Sequence, residues 1–96
     1  MNELSNIKTT LQALKPELMK KYHVRTLGLF GSIVRDDYTA GSDMDIVVDF
    51  NRSIGIEFID LADYIEHKIK KKVDLVSRNG IKEKYFKEIE PEIITI

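Results

Sequence analysis

Hydrophobic positions along this chain change spacing from helical to strand-like and back. Leu4, Ile7, Leu11, Leu14 and Leu18 fall three and four apart, the stripe of an amphipathic helix. Pro16 interrupts it, so a kink or a restart is expected there, with Pro16 in the first turn of the second piece. Val24–Phe30 (VRTLGLF) is short, apolar and bounded by Gly31-Ser32, and reads as a buried strand. Ser32–Arg35 reads as a short helical turn, and residues 36–42 as a polar loop. Residues 43–50 alternate with period two. Met44, Ile46, Val48 and Phe50 are apolar, while Asp43, Asp45 and Asp49 occupy odd positions. The apolar set is expected to face a helical layer, and the carboxylates the opposite side.

Residues 56–69 return to helical spacing through Phe58, Leu61, Ile65 and Ile69. Residues 73–76 (VDLV) form a third strand, with Asp74 opposite Val73 and Leu75. A last amphipathic helix over about 81–89 precedes Pro91 and an apolar tail, Ile93, Ile94 and Ile96. The tail suits either completion of the sheet or an interface. The order α-β-α-β-α-β-α describes a two-layer α/β domain of the α+β type.

At 96 residues and 11.1 kDa the chain suits one domain, residues 1–96. Surface scaling for that mass buries about 65% of the unfolded chain's area, enough for one modest core. There are 15 basic and 16 acidic residues, a net charge of −1, which argues against holding nucleic acid mainly by electrostatics. With no Cys, disulfides, thiolate metal sites and Cys nucleophiles are excluded. No basic stretch leads into an apolar run at the N-terminus, and no apolar run approaches about 18 residues. A cytoplasmic protein without membrane association is the expectation.

The candidate chemistry lies in the aspartates. Asp43 and Asp45, two apart on one strand, project the same way with about 6.5–7 Å between them along the backbone. At an effective dielectric of about 20, two full charges at that distance repel by roughly 2.5 kcal/mol before screening. Asp74 on a neighbouring strand could make a third. Converging carboxylates need a counter-charge, and oxygen donors without His or Cys favour hard cations such as Mg²⁺. Two such ions form the clamp used for in-line phosphoryl or nucleotidyl transfer. Three surface aspartates on a solvated sheet face remain the plain alternative on spacing alone.

Gly31-Ser32 ends a strand and opens a helical turn, where free N–H groups and a dipole end favour anions. Helix capping by Ser32 explains the same pair as simply. Arg35, one turn on, could face the same phosphates, pair with a carboxylate, or stand free on the surface. No Gly-Lys-Ser/Thr follows, so this is not a Walker A loop. Val47 and Val48 stand where a calcium loop would need polar ligands and Gly. His23 and His67 lack ligand-spaced partners. The basic run His67, Lys68, Lys70, Lys71 and Lys72 is explained by a helix C-terminus.

Gly31-Ser32, ten residues, then Asp43-Met44-Asp45 is a specific combination. The segment LFGSIVRDDYTAGSDMDIVVDF resembles the signature of the minimal nucleotidyltransferases of the DNA polymerase β-like superfamily. KKVDLVSRNGIKEKYFKEIEPEIITI resembles the family's C-terminal stretch. The resemblance implies a mixed β-sheet with helices packed on one face. It also implies that Gly31 and Ser32 bind a nucleoside triphosphate and that Asp43 and Asp45 bind two Mg²⁺ ions. Asp74 would complete the metal site and help activate the attacking hydroxyl, and Arg35 matches an arginine that follows the Gly-Ser pair in many members. Val34 and Asp36 replace a common Ala and Gly, and Asp36 and Asp37 add negative charge beside the phosphate site.

Such enzymes are commonly antitoxins of all-helical HEPN ribonuclease toxins, which implies transfer of AMP from ATP to a toxin tyrosine and a possible hetero-oligomer with that toxin. Two rivals stand beside this reading. One is an antitoxin that binds nucleotide but acts by contact alone, which would not need the repelling carboxylates. The other is a transferase acting on a small molecule such as an aminoglycoside, or on a nucleic acid end, which usually carries a further domain for base or acceptor. The acceptor is expected to come from another chain.

Overall fold

The computed structural model describes residues 3–39 and 41–96. Its elements follow the expected order: α1 (Glu3–Tyr22), β1 (Val24–Phe30), α2 (Ser32–Arg35), β2 (Met44–Phe50), α3 (Glu57–Ile69), β3 (Val73–Ser77), α4 (Glu83–Ile89) and β4 (Ile94–Thr95). Short 3₁₀ turns, Arg78–Gly80 and Glu90–Glu92, flank α4. Strand order is β3-β2-β1-β4. β1 runs antiparallel to β2 and β4, and β2 runs parallel to β3, so the sheet is mixed.

The period-two reading of β2 holds. Met44, Ile46 and Val48 are all fully buried, in one cluster with Leu27 and Leu29 of β1 and Leu75 of β3. Leu11 and Leu18 of α1 and Leu61 and Ile65 of α3 complete that core. Each such side chain contributes roughly 1.5–3 kcal/mol by leaving water, which is what holds α1 and α3 on this face. Tyr64 packs on Tyr22, with ring centroids 5.7 Å apart, and its hydroxyl donates to Glu17.

Three local features depart from or refine the pattern. α1 continues through Pro16 without a restart. Pro16 is exposed, as is Gln12 four residues earlier, so the carbonyl that loses its partner can turn to water. The apolar tail joins the sheet: Ile94 pairs with Leu29, Thr95 pairs with Gly28, and the Ile96 N–H donates to the Leu27 carbonyl at 2.8 Å. The last helix lies outside the expected one-sided helix layer, packing on the opposite face of the sheet from α1 and α3. Ile89 and Phe86 of α4 form a second, smaller cluster with Phe30, Val47, Val76 and Ile93, residues of the other face of the strands.

Phe86 is thereby covered, with the Arg78 guanidinium 3.5 Å from its ring centroid, while Tyr85 stays exposed. At the end of α3, Lys70 adopts a left-handed cap whose N–H donates to the Glu66 carbonyl. His67 and Lys68 occupy the last turn, as the dipole account requires.

Candidate active site

Three strand ends meet at one edge of the far face. β1 finishes at Phe30 beside Asp45 of β2, and Asp45 stands opposite Asp74 of β3 in the parallel register. Asp43 immediately precedes β2. The chain then leaves β1 through Gly31, whose φ of 79° and ψ of −150° belong to a region that is essentially glycine-only. A Cβ on Gly31 would overlap the Asp45 carboxylate, with Oδ2 its nearest atom. Glycine is therefore required twice, by backbone conformation and by the close approach of this turn to Asp45.

Ser32 follows as the first helical residue. The cap position belongs to Gly31, and no side-chain hydrogen bond caps α2. The simple capping role for Ser32 is thus not realised, and among the described residues its hydroxyl has no hydrogen-bond partner. α2 spans only four residues, too short for an appreciable macrodipole, so anion binding here rests on individual donors. Asp36 closes α2 in a left-handed conformation with its N–H on the Ser32 carbonyl. Asp37 lies 3.9 Å from Arg35 Nε.

Electrostatics bind the carboxylates together. Burial, then the charges of Asp74 and Asp43, push the Asp45 carboxyl above its ordinary range, and a hydrogen bond with Asp74 adds to the rise. The Arg35 guanidinium opposes this without cancelling it. Among the described residues no group of three metal-ligating side chains stands preassembled as a cage. The arrangement is instead a facing pair, Asp45 and Asp74, with Asp43 within electrostatic reach. Such a donor set fits Mg²⁺, which keeps several coordination positions for water and substrate phosphates. Burial is the first cause of that rise, and the negative charge of Asp74 and Asp43 that adds to it is what a divalent cation would relieve.

The family described as Polymerase beta, Nucleotidyltransferase matches residues 12–95. The chain belongs to that family. A relative from Thermococcus cleftensis, the protein adenylyltransferase MntA, is 36% identical, with the alignment covering all of this chain and 98% of the relative. A solved structure described as a minimal nucleotidyltransferase superposes with a TM-score of 0.84 at 22% identity, covering 99% of this chain and 97% of the other. The MNT antitoxin of Shewanella oneidensis, solved in complex with a tri-AMPylated HEPN toxin, gives 0.70 at 17% identity, over 96% and 70%. These two likenesses show the nucleotidyltransferase fold, with the mixed sheet found here.

Within this nucleotidyltransferase, the six residues singled out by spacing fall around one point. Gly31 touches Asp45, Ser32 follows it, Asp74 and Asp43 flank the same carboxylate, and Arg35 acts on it through space. Asp49 lies elsewhere, accepting from the Phe50 N–H at 3.0 Å and standing 3.7 Å from Arg25. A cleft of about 570 Å³, lined by Arg25, Phe50, Arg52, Phe58 and Ser77, opens at the other end of the strands and holds none of the six. One residue at the site was not singled out: Glu92, whose carboxylate accepts from the Gly31 N–H at 3.0 Å and from Arg35 Nη1 at 3.3 Å. Nothing in the sequence separates it from Glu90, the other carboxylate between Ile89 and Ile93.

Proposed function

We propose that this nucleotidyltransferase moves AMP from ATP onto a tyrosine hydroxyl of a HEPN-type toxin and so acts as the antitoxin of the pair. The observation that carries the reading is the contact of Gly31 with Asp45, which brings the phosphate turn and the carboxylates to one point. The name of the Thermococcus cleftensis relative and the fold shared with an antitoxin bound to an AMPylated toxin support the acceptor class. Residues 1–96 act as one catalytic domain in this reading, in the cytoplasm, where ATP and Mg²⁺ are available, and in a complex with the toxin.

In the proposed reaction Ser32 and Arg35 hold the triphosphate tail, with Gly31 leaving room for its close approach. Asp43, Asp45 and Asp74 hold two Mg²⁺ ions, which when bound supply neutralisation of phosphate charge and a polarised leaving group. The acceptor oxygen attacks the α-phosphorus in line, a new P–O bond forms, and the bond to the bridging oxygen breaks as pyrophosphate leaves. Asp74, exposed at the start of β3, accepts the hydroxyl proton.

The test incubates the protein with α-labelled ATP, Mg²⁺ and the product of the adjacent reading frame. Label on that partner, lost with Asp45→Asn, is the expected result. Full neutralisation of the partner by Asp45→Asn with no label transferred overturns the reading in favour of an antitoxin acting by contact.

A further inference from the structure

We infer that Glu92 is a positioning residue of the phosphate turn: its carboxylate fixes Gly31 and aims Arg35 for the triphosphate. The inference rests on the nucleotide-binding role proposed for Gly31, Ser32 and Arg35. One carboxylate oxygen serves both partners, accepting from the Gly31 N–H at 3.0 Å and from Arg35 Nη1 at 3.3 Å. Gly31 is buried, so its N–H needs an acceptor, and the partner comes from 61 residues away in sequence. Arg35 is 55% exposed, against 25% for Glu92, so the more buried partner orients the more exposed one.

The segment that delivers Glu92 is itself fastened on both sides. Pro91 and Glu92 lie within one 3₁₀ turn, which the Ile93 N–H closes on the Glu90 carbonyl at 3.2 Å. Ile93 enters the smaller core and packs so closely on Gly28 that a Cβ there would lie 2.7 Å from its Cγ2. Ile94 is paired with Leu29, and Lys15 Nζ donates to the Ile96 carbonyl at 2.7 Å. Side chains that position a reactive group need such support, because a misplacement of about 1 Å is costly in rate. The Arg35 charge also acts on Asp45 through space, so the pairing with Glu92 holds a cation that the carboxylates feel.

A glutamine separates the two bonds. Glu92→Gln can still accept from the Gly31 N–H but loses the charged pairing with Arg35, whereas Glu92→Ala loses both. The readouts are the KM for ATP in partner labelling and the Kd for α,β-methylene ATP measured by calorimetry. Glu92→Ala is expected to raise both about tenfold and Glu92→Gln about threefold, with kcat changed less and the KM for the partner protein unchanged. In an Arg35→Ala background Glu92→Gln should add nothing further.

Unchanged nucleotide KM and Kd in Glu92→Gln, with only a lower Tm, would reduce Glu92 to a structural tether and overturn the inference. Tighter nucleotide binding in either variant would overturn it too, making Glu92 a competitor of the phosphates. Two controls separate this failure from failure of the site. If Asp45→Asn abolishes labelling and Arg35→Ala weakens nucleotide binding while both Glu92 variants behave as wild type, only the role of Glu92 is lost. If Arg35→Ala and Asp45→Asn are also silent, the nucleotide site itself is wrong.

Discussion

The two faces of β2 carry different tasks on alternate residues of the same seven-residue strand. Met44, Ile46 and Val48 point into the core beneath α1 and α3 and are withdrawn from water. Asp45 and Val47 point the other way. That second face is itself divided, since Val47 is covered by Ile89 of α4, whereas Asp45 at the strand's start faces Asp74 and Gly31. One face therefore concentrates stability and the other end concentrates unbalanced charge. Substitutions should separate the two, and a residue that fails to separate them marks the seam.

The largest expected effect is on the charged end. Asp45→Asn should lower AMP transfer to the partner by at least about 1,000-fold, roughly 4 kcal/mol of transition-state stabilisation, while the protein stays folded. Rate measurements beside circular dichroism check this, and activity within tenfold of wild type would remove Asp45 from the chemistry. On the helix face the balance should invert. Leu61 is fully buried, so Leu61→Ala should cost about 3 kcal/mol of stability and lower Tm by about 12–24 °C. Turnover per folded molecule, measured well below the melting range, should be unchanged.

Gly31→Ala is the substitution expected to break the separation. The alanine would have to occupy φ near 79° and push its methyl group into the Asp45 carboxylate. A strained backbone position of this kind costs about 1–3 kcal/mol. The displaced turn should also lower kcat/KM for ATP about 10- to 100-fold. Denaturant unfolding and steady-state kinetics on the same preparation test whether both losses occur together. A loss of stability with normal kinetics would mean that the turn tolerates movement away from Asp45.

The helix face was legible because periodicity reports packing directly. Alternation in β2 and the three-four spacing in α1 and α3 put the same residues inward as the structure does. Gly31-Ser32 and the spaced aspartates were legible as a candidate site only in combination, since Gly, Ser and Asp each commonly bound strands. Missing from the pattern were contacts made at long range. The Glu92 carboxylate reaches Gly31 across 61 residues, and no local rule announces such a bond. The two-residue β4 is too short for a periodic signal, and α4, amphipathic like the others, gives no indication of which face it covers. Pro16 suggested a break because local propensity ignores that the Gln12 carbonyl it leaves without a partner lies on the wet side of α1. The physical division is between information carried by neighbours on one element and information carried only by the assembled sheet.

The smallest effect sharpens the comparison most, because at the charged end of the sheet a substitution should stabilise the fold where Leu61→Ala weakens it. Burial, Asp74 and Asp43 raise the Asp45 carboxyl above its ordinary value of 3.8. A carboxyl whose folded-state pKa exceeds its unfolded value contributes stability that is fully present below the unfolded value. That contribution is lost as pH rises through the folded value. In EDTA, wild type should therefore lose stability relative to Asp45→Asn as pH rises above about 4. By pH 7 the inactive variant should melt higher by about 1–3 °C, a modest shift because the site is open to water and its charges are screened. Adding Mg²⁺ should raise wild type and narrow the gap, since a bound cation removes the repulsion that the asparagine removes covalently. Melting curves of both proteins at pH 4 and pH 7, with and without Mg²⁺, make the check. A variant that melts below wild type at pH 7 in EDTA would mean that the Asp45 charge is balanced within the fold, which would leave the open end of the sheet with no repulsion for a metal ion to relieve.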